Sequence, residues 1–475
     1  MGGDFMGSDS CNRPDRKKIK IGTDGETIDT TAVKDGEDLL VPVKTLEKLI
    51  KGTIRLEEGT GNIYIDEHKD QAIRLSEDIK KRVWDAIDKK EESIREACNF
   101  IYDHPELGDE EIKASALLTE RLKEYGFTVT KGLKGKCPET GEERDLMTAF
   151  EAVYDSGLQG PTLAVMLEYD ALPMGHGCGH NLIAASGLAA AVGIASLMDQ
   201  LTGRLVVFGT PAEEGGKLGG KVPMIEAGYF DEVDIAMITH GGDRWDTGSP
   251  WLAVKSTTVT FKGTPAHAAA APHLGRSALD ALVLAYQGIE MLREHTRDDT
   301  RIHGIVKNGG AASNIVPEEA QAQYSVRSLD NGYLEELQER MDDIAKGAAL
   351  ACGCEVDIKW SYGYRAPINV PFLDDLVLDQ ARTLDIEPVK PWTALASSDL
   401  GNVGERLPTV NLWFAAAPWG AELHTKEFLE ASRTHSALQA ALKAGKALAL
   451  SGVSLLHEPK RVEKVKEEFA KIRGK

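Results

Sequence analysis

The sequence predicts an α/β protein: a mainly parallel sheet with helices on both faces, interrupted by an inserted ferredoxin-like α+β domain. Short apolar, β-branched runs of buried-strand type ("TLAVMLEY", "RLVVFGT", "IAMITH") alternate with helical spacing, the pattern of parallel strands covered on both faces. Between residues 252 and 365 the order changes to βαββαβ, the split-βαβ unit. A chain of 475 residues also exceeds one ordinary compact core, so two domains are expected.

Residues 1–78 read as a polar, flexible N-terminal extension, mixed in charge and poor in aromatics, to which no chemistry is assigned. The cluster Arg16, Lys17, Lys18 and Lys20 reads as a solvated charge run rather than a nuclear address. The larger, α/β domain is expected over 79–251 and 366–457. It opens on the helical stretches "DIKKRVWDAIDKKEESIREACNFIYDH" and "DEEIKASALLTERLKEYGF", and a long helix "NLIAASGLAAAVGIASLMDQ" separates the first two strands. The inserted domain, 252–365, runs from the strand "WLAVKSTTVTFKG" through two helices and two further strands to the strand "EVDIKWSY". "LDDLVLDQARTL", "TVNLWFAAA" and "ASRTHSALQAALKAGKALALSG" then return to strand and helix alternation, and 458–475 read as a charged C-terminal tail.

Composition narrows the partners. With 75 acidic against 55 basic residues the net charge is −20, which disfavours nucleic acid and anionic membranes. No run of about 18 apolar residues is long enough to span a membrane. Six scattered cysteines without an apolar signal segment argue for free thiols and a cytoplasmic location. A small-molecule substrate is expected.

The chemistry is concentrated in "GHGCGHN", residues 175–181. Cys178 and His180 are good zinc-ligand types in a loop after a strand, where open α/β sheets place their sites. A structural zinc knuckle would need a second Cys/His pair at short spacing, and none follows; a redox site would need a CxxC motif, which is absent. Three more strand ends deliver Glu213 and Glu214 in "PAEEGG", His240 in "IAMITHGG" and His424 in "ELHT". In adjacent carboxylates one can bind metal while its neighbour acts as a base. Singly, a strand-end histidine or an "EE" pair is more often structural or solvated; Cys352 and Cys354 in "ACGCE" keep that structural reading. Together, five ligand-type residues could hold a two-metal site that polarises a carbonyl and lowers the pKa of water towards about 7, which suggests hydrolysis.

"EYDALPMGHGCGHN", "PAEEGG", "FKGTPAHAAAAPHLGRSALDA", "SNIVPEEAQAQYSVR" and "SSDLGNVGERLPTV…ELHT" resemble the M20 metallopeptidases, in particular their amidohydrolase branch, from about residue 80, including "DHPELGDEE", to about 456. The resemblance implies metal ligation by Cys178, His180, Glu214, His240 and His424, with Cys178 as a bridging thiolate. It makes Glu213 the general base and places Asp170 beside the metals, where it orients a ligand or the base. It implies two divalent ions, zinc or manganese, and an inserted domain that mediates homodimerisation. The histidine matching His267 then reaches the partner subunit's site to help hold the oxyanion, and Asn314 and Arg327 match positions that hold the substrate's carboxylate or oxyanion. Glu168 stands where other branches carry a ligand histidine, and Asn181 replaces an acid. The expected activity is hydrolysis of an amide next to a free carboxylate in N-acyl amino acids, aminobenzoyl-glutamate-like amides or dipeptides. The rivals are an amide-forming or acyl-transfer enzyme on the same site, and a non-catalytic regulatory binding protein.

Overall fold

The computed structural model describes residues 75–215, 219–389, 391 and 396–474, with the backbone of five strands before residue 75. Those five form two small antiparallel sheets, β1 (Arg16–Thr23), β2 (Glu26–Asp35) and β3 (Asp38–Leu40) in one and β4 (Thr53–Leu56) and β5 (Ile63–Asp66) in the other. The rest of the expected flexible extension, up to residue 74, lies outside the described residues.

From Leu75 onward the chain builds two layered regions. The larger sheet contains β6 (Thr128–Lys136), β7 (Glu143–Asp155), β8 (Thr162–Leu167), β9 (Arg204–Gly209) and β10 (Ile235–Gly242). The smaller contains β11 (Ala253–Lys262), β12 (Arg301–Asn308), β13 (Glu319–Ser328) and β14 (Glu355–Trp360), after which β15 (Thr409–Ala415) returns to the larger sheet.

The larger sheet has the order β15-β10-β8-β9-β7-β6, and β15, β10, β8 and β9 run parallel, as the apolar runs predict. β8 and β10 are buried along their whole length, because helices cover both faces. β6 and β7, antiparallel at the edge, carry no such signal in the sequence. β6, "TVTKGLKGK", is a lysine- and glycine-bearing edge strand, the composition that discourages edge-to-edge association.

The first helical stretch divides at Lys89–Lys90 into helices Glu77–Asp88 and Glu91–Asp103, and Ser76 caps the first by accepting the Ile79 N–H at 3.3 Å. Helix His180–Ala195 is buried on every side, so it carries no polar face. Its alanines let helix His435–His457 approach closely: a Cβ added to Gly445 would lie 2.5 Å from the Ala189 Cβ. Residues 459–473, expected as a charged tail, form a helix whose Val462, Val465 and Phe469 are buried; these recur at three- and four-residue spacing, so one stripe docks while the charges stay in water.

The smaller sheet is antiparallel throughout, in the order β12-β13-β11-β14, with helices Ala278–Leu292 and Asn331–Cys352. Val259, Phe261, Leu282, Ile289, Val326, Leu337 and Met341 share one core, so the inserted unit has a hydrophobic centre of its own. No helix among the described residues is long and apolar enough to cross a membrane.

Candidate metal centre

β8 is hydrogen-bonded to β9 as far as Leu167, but to β10 only over Leu163–Val165. The strands therefore part at their carboxyl ends, where the chain order reverses, leaving a crevice of the kind in which open α/β sheets bind ligands. Every ligand-type residue singled out above arrives at this crevice. Cys178 and His180 follow β8, and Gly179 between them has φ 78°, a conformation that lets the loop turn directly into the helix starting at His180. Glu213 and Glu214 follow β9 after Ala212, whose φ of 59° is unusual for a residue with a Cβ. His240 lies in β10. His424, at φ 62°, follows β15 and is held by its N–H on the Gly177 carbonyl at 2.9 Å.

Three sets of donor atoms lie within 4.8 Å of one another: Cys178, His180 and His240; Cys178, Glu214 and His424; and His180, Glu213 and Glu214. Cys178 Sγ is 3.6 Å from His240 Nε2, and His424 Nε2 is 2.9 Å from Glu214 Oε1. His180 Nε2 is buried with no hydrogen-bond partner, although carboxylate oxygens of Glu168, Glu214 and Glu213 stand 3.6, 3.9 and 4.0 Å away. Those spacings are too long for hydrogen bonds and fit donors that share a cation.

The outer nitrogens set the orientation of the rings. His180 Nδ1 meets Asp170 Oδ1 at 2.8 Å and His240 Nδ1 meets the Gly241 carbonyl at 2.8 Å, so in each ring Nδ1 donates and Nε2 is the nitrogen turned to the crevice. Asp170 also accepts the Glu214 backbone N–H at 2.8 Å, tying the β8 and β9 loops together.

Burial pushes His240 down to about 4, which keeps it neutral, as a ligand must be. It works the same way on His180, but the Asp170 carboxylate outweighs it and holds that ring well above the usual histidine range, so a cation bound there would take the place of the Nε2 proton. Burial raises the Cys178 thiol, and raises Glu213 further with the help of the Glu168 and Asp399 carboxylates.

Two residues at this site went unassigned in the sequence. Lys221 is fully buried and its ammonium pairs with Glu168 at 2.6 Å and with Asp399, whose carboxylate also accepts the Lys221 backbone N–H at 3.0 Å. This lysine supplies a positive charge behind the donor cluster, between two buried carboxylates. Asp399 stands inside "SSDLGN", but its partner is 178 residues away and no local spacing reveals the pair.

A cavity of about 460 Å³ opens onto Cys178, Glu213, Glu214, His240 and His424, with Pro250, Trp251, Trp413 and Leu423 as apolar wall. Arg327 reaches it indirectly: its guanidinium donates to Ser397 Oγ at 2.8 Å, and Ser397 lines the cavity. His267 and Asn314 do not join the cluster. They sit together on the inserted domain, where the Ala268 N–H meets the Asn314 carbonyl at 3.0 Å and both side chains are exposed.

Residues 253–351 match the M20 peptidase dimerisation domain. Across the chain, a mouse Xaa-Arg dipeptidase is 34% identical over 406 residues, covering 82% of this chain and 92% of that protein. The chain belongs to the M20 peptidase family. It is thus a hydrolase of the family that cleaves peptide and amide bonds. A p-aminobenzoyl-glutamate hydrolase of Escherichia coli is 27% identical over one of its component chains, covering 83% of this M20 chain and 96% of that one. Among solved structures, a Bacillus subtilis dinuclear metal-binding peptidase of the M20 family superposes with a TM-score of 0.59 at 20% identity, over 80% of this chain and 99% of that one. At that identity the likeness concerns the fold.

Proposed function

We propose that this M20 protein is a dinuclear, metal-dependent amidohydrolase or dipeptidase that cleaves an amide next to a free carboxylate. The observation that carries the reading is the buried, unpartnered His180 Nε2, ringed by a thiol, a further imidazole and a carboxylate pair from three strand ends. Cys178, His180, Glu214, His240 and His424 fit a pair of divalent ions, zinc first by its taste for thiolate and imidazole, manganese second. Cys178 belongs to two of the donor sets, as a bridging thiolate would. Such ions, when bound, supply polarisation of the scissile carbonyl and acidify water.

The chain's own residues do the rest. Glu213 lies in a donor set with His180 and Glu214 and lines the cavity; as general base it takes a proton from the attacking water and passes it to the leaving amine nitrogen. Asp170 keeps His180 in its tautomer. Arg327, half-buried, with burial lowering its pKa, is suited through the Ser397 wall to a substrate carboxylate, and Asn314 lies on the same inserted domain. His267 Nδ1 accepts the backbone N–H groups of Ala269 and Ala270 at 3.3 and 3.1 Å, which leaves Nε2 as the ring nitrogen that can donate to an oxyanion. We assign that donor to a partner subunit's site. The inserted domain's exposed Met291, Ile305 and Val306, on one helix and the β12 edge, fit a homodimer contact. The domain division 79–251 with 366–457 against 252–365 is part of the same proposal.

N-acyl amino acids, aminobenzoyl-glutamate-like amides and dipeptides form the test panel, because the names of the relatives span aryl amides and dipeptides. Protein loaded with zinc or manganese is incubated with the mixed panel beside Glu213→Gln, and products are read by mass spectrometry. Cleavage by the parent and a loss of ~10²–10⁴-fold in the variant, with metal retained, is expected. Metal-bound parent that cleaves nothing overturns the reading.

A further inference from the structure

The stretch "PELGDEE", residues 105–111, takes no part in the chemistry above, yet it braces both halves of the crevice. Glu111 is fully buried and both of its carboxylate oxygens are engaged: Oε1 accepts the Ala212 backbone N–H at 2.7 Å and Oε2 accepts the Thr148 hydroxyl at 2.9 Å. Ala212 holds the left-handed conformation, φ 59°, that a Cβ disfavours, and the next two residues are Glu213 and Glu214. The loop lies close against this turn, since a Cβ on Gly108 would stand 2.9 Å from the Ala212 Cα. On the other side the Glu106 carbonyl accepts the Ala171 N–H at 2.8 Å, directly after Asp170. The Glu106 carboxylate meanwhile anchors the loop by accepting the N–H groups of Lys113 and Ala114 at the start of helix Ile112–Glu124.

We infer that Glu111 is a positioning residue: its hydrogen bond to the Ala212 N–H holds the left-handed turn that aims Glu213 and Glu214 into the crevice. The inference rests on the reading of Glu214 as a ligand and Glu213 as the base. A leucine at 111 leaves the Ala212 N–H buried without its acceptor, and the turn is free to leave the left-handed region, carrying both carboxylates with it. Glycine at 212 removes the steric bias against positive φ, so it recovers the turn in part. A role in packing alone would act through Thr148 as much as through Ala212, and Thr148→Val breaks that second hydrogen bond while leaving the first.

The test compares Glu111→Gln, Glu111→Leu, Thr148→Val and Glu111→Leu with Ala212→Gly. Zinc affinity is read by competition with a chromophoric chelator, and kcat and KM on whichever panel substrate the parent cleaves. Glutamine keeps an acceptor for the Ala212 N–H, so it and Thr148→Val should stay within about threefold of the parent, the size of a small outer adjustment. Glu111→Leu should bind zinc about tenfold more weakly and lose ~10²-fold in kcat with little change in KM, and Ala212→Gly should return about tenfold of that loss. Parental zinc affinity and kcat in Glu111→Leu, an equal loss in Thr148→Val, or no recovery with Ala212→Gly each overturns the inference. Should Glu111→Leu not accumulate as folded protein, Glu111→Asp replaces it in both roles, since it keeps the charge but is one methylene short of spanning both partners. A parent that binds no zinc and cleaves nothing overturns the metal-hydrolase reading and this inference with it; an active parent with an indifferent Glu111→Leu overturns this inference alone.

Discussion

The two sides of the crevice are built differently. On the β8 and β10 side, Cys178, His180, Asp170 and His240 are all buried, and each ring nitrogen that faces away from the crevice has a fixed acceptor. On the other side, the His424 side chain is 52% exposed at a left-handed φ, while His267 and Asn314 lie in the open on another domain. The dry side is held by the protein's own hydrogen bonds. In the proposal above, the wet side is completed by ions, substrate and a second subunit.

The largest effect should come from breaking the dry side at its centre. Cys178→Ser exchanges a thiolate for a hydroxyl that binds zinc poorly; metal affinity is expected to fall by more than about 100-fold, beyond what loss of an outer partner causes. Unchanged metal content by mass spectrometry would remove Cys178 from the ligand set. On the wet side, His267→Ala should cost ~10²-fold in kcat, the worth of one oxyanion donor. Mixing it with Glu213→Gln protein sharpens the comparison: a mixed dimer regains activity only if His267 serves the neighbouring subunit, and stays inactive if it serves its own.

Asp170→Asn leaves the ligands in place but removes the acceptor charge from His180 and from the Glu214 N–H. A loss of ~10–100-fold in metal affinity is expected, measured by chelator competition, and a loss below twofold would show that the dry side does not depend on its outer partners.

The smallest effect comes from a carboxylate outside the donor set. Burial pushes Asp374 up to about 8, against the ordinary unfolded value of about 3.9. The native state therefore holds a proton that the unfolded chain releases, and this contribution to stability is full below about pH 4 and lost as pH rises to about 8. Asp374→Asn should raise the Tm at pH 9 more than at pH 5, on the order of 2 °C. An equal shift at both pH values would refute the assignment.

Local pattern made much of this legible. β8, β9, β10 and β15 announce themselves as apolar runs because both of their faces are buried, and the βαββαβ order of the inserted domain follows from alternation and spacing. β6 and β7 escaped because an edge hairpin with one wet face carries charges that erase the signal. The helix at 459–473 escaped because its stripe of three buried residues is hidden among lysines and glutamates.

The sequence by itself determined which residue types stand at strand ends, and so the donor set Cys178, His180, Glu213, Glu214, His240 and His424, because thiol, imidazole and paired carboxylate are readable without coordinates. The tertiary structure alone decided what aims them. The Asp170 bond to His180 and to Glu214, the Lys221 pairing with Glu168 and Asp399, and the Glu111 hold on Ala212 join segments 10 to 178 residues apart. Hydrogen bonds and ion pairs act over a few ångströms in space, and no local spacing along the chain encodes which distant segments the fold will bring that close.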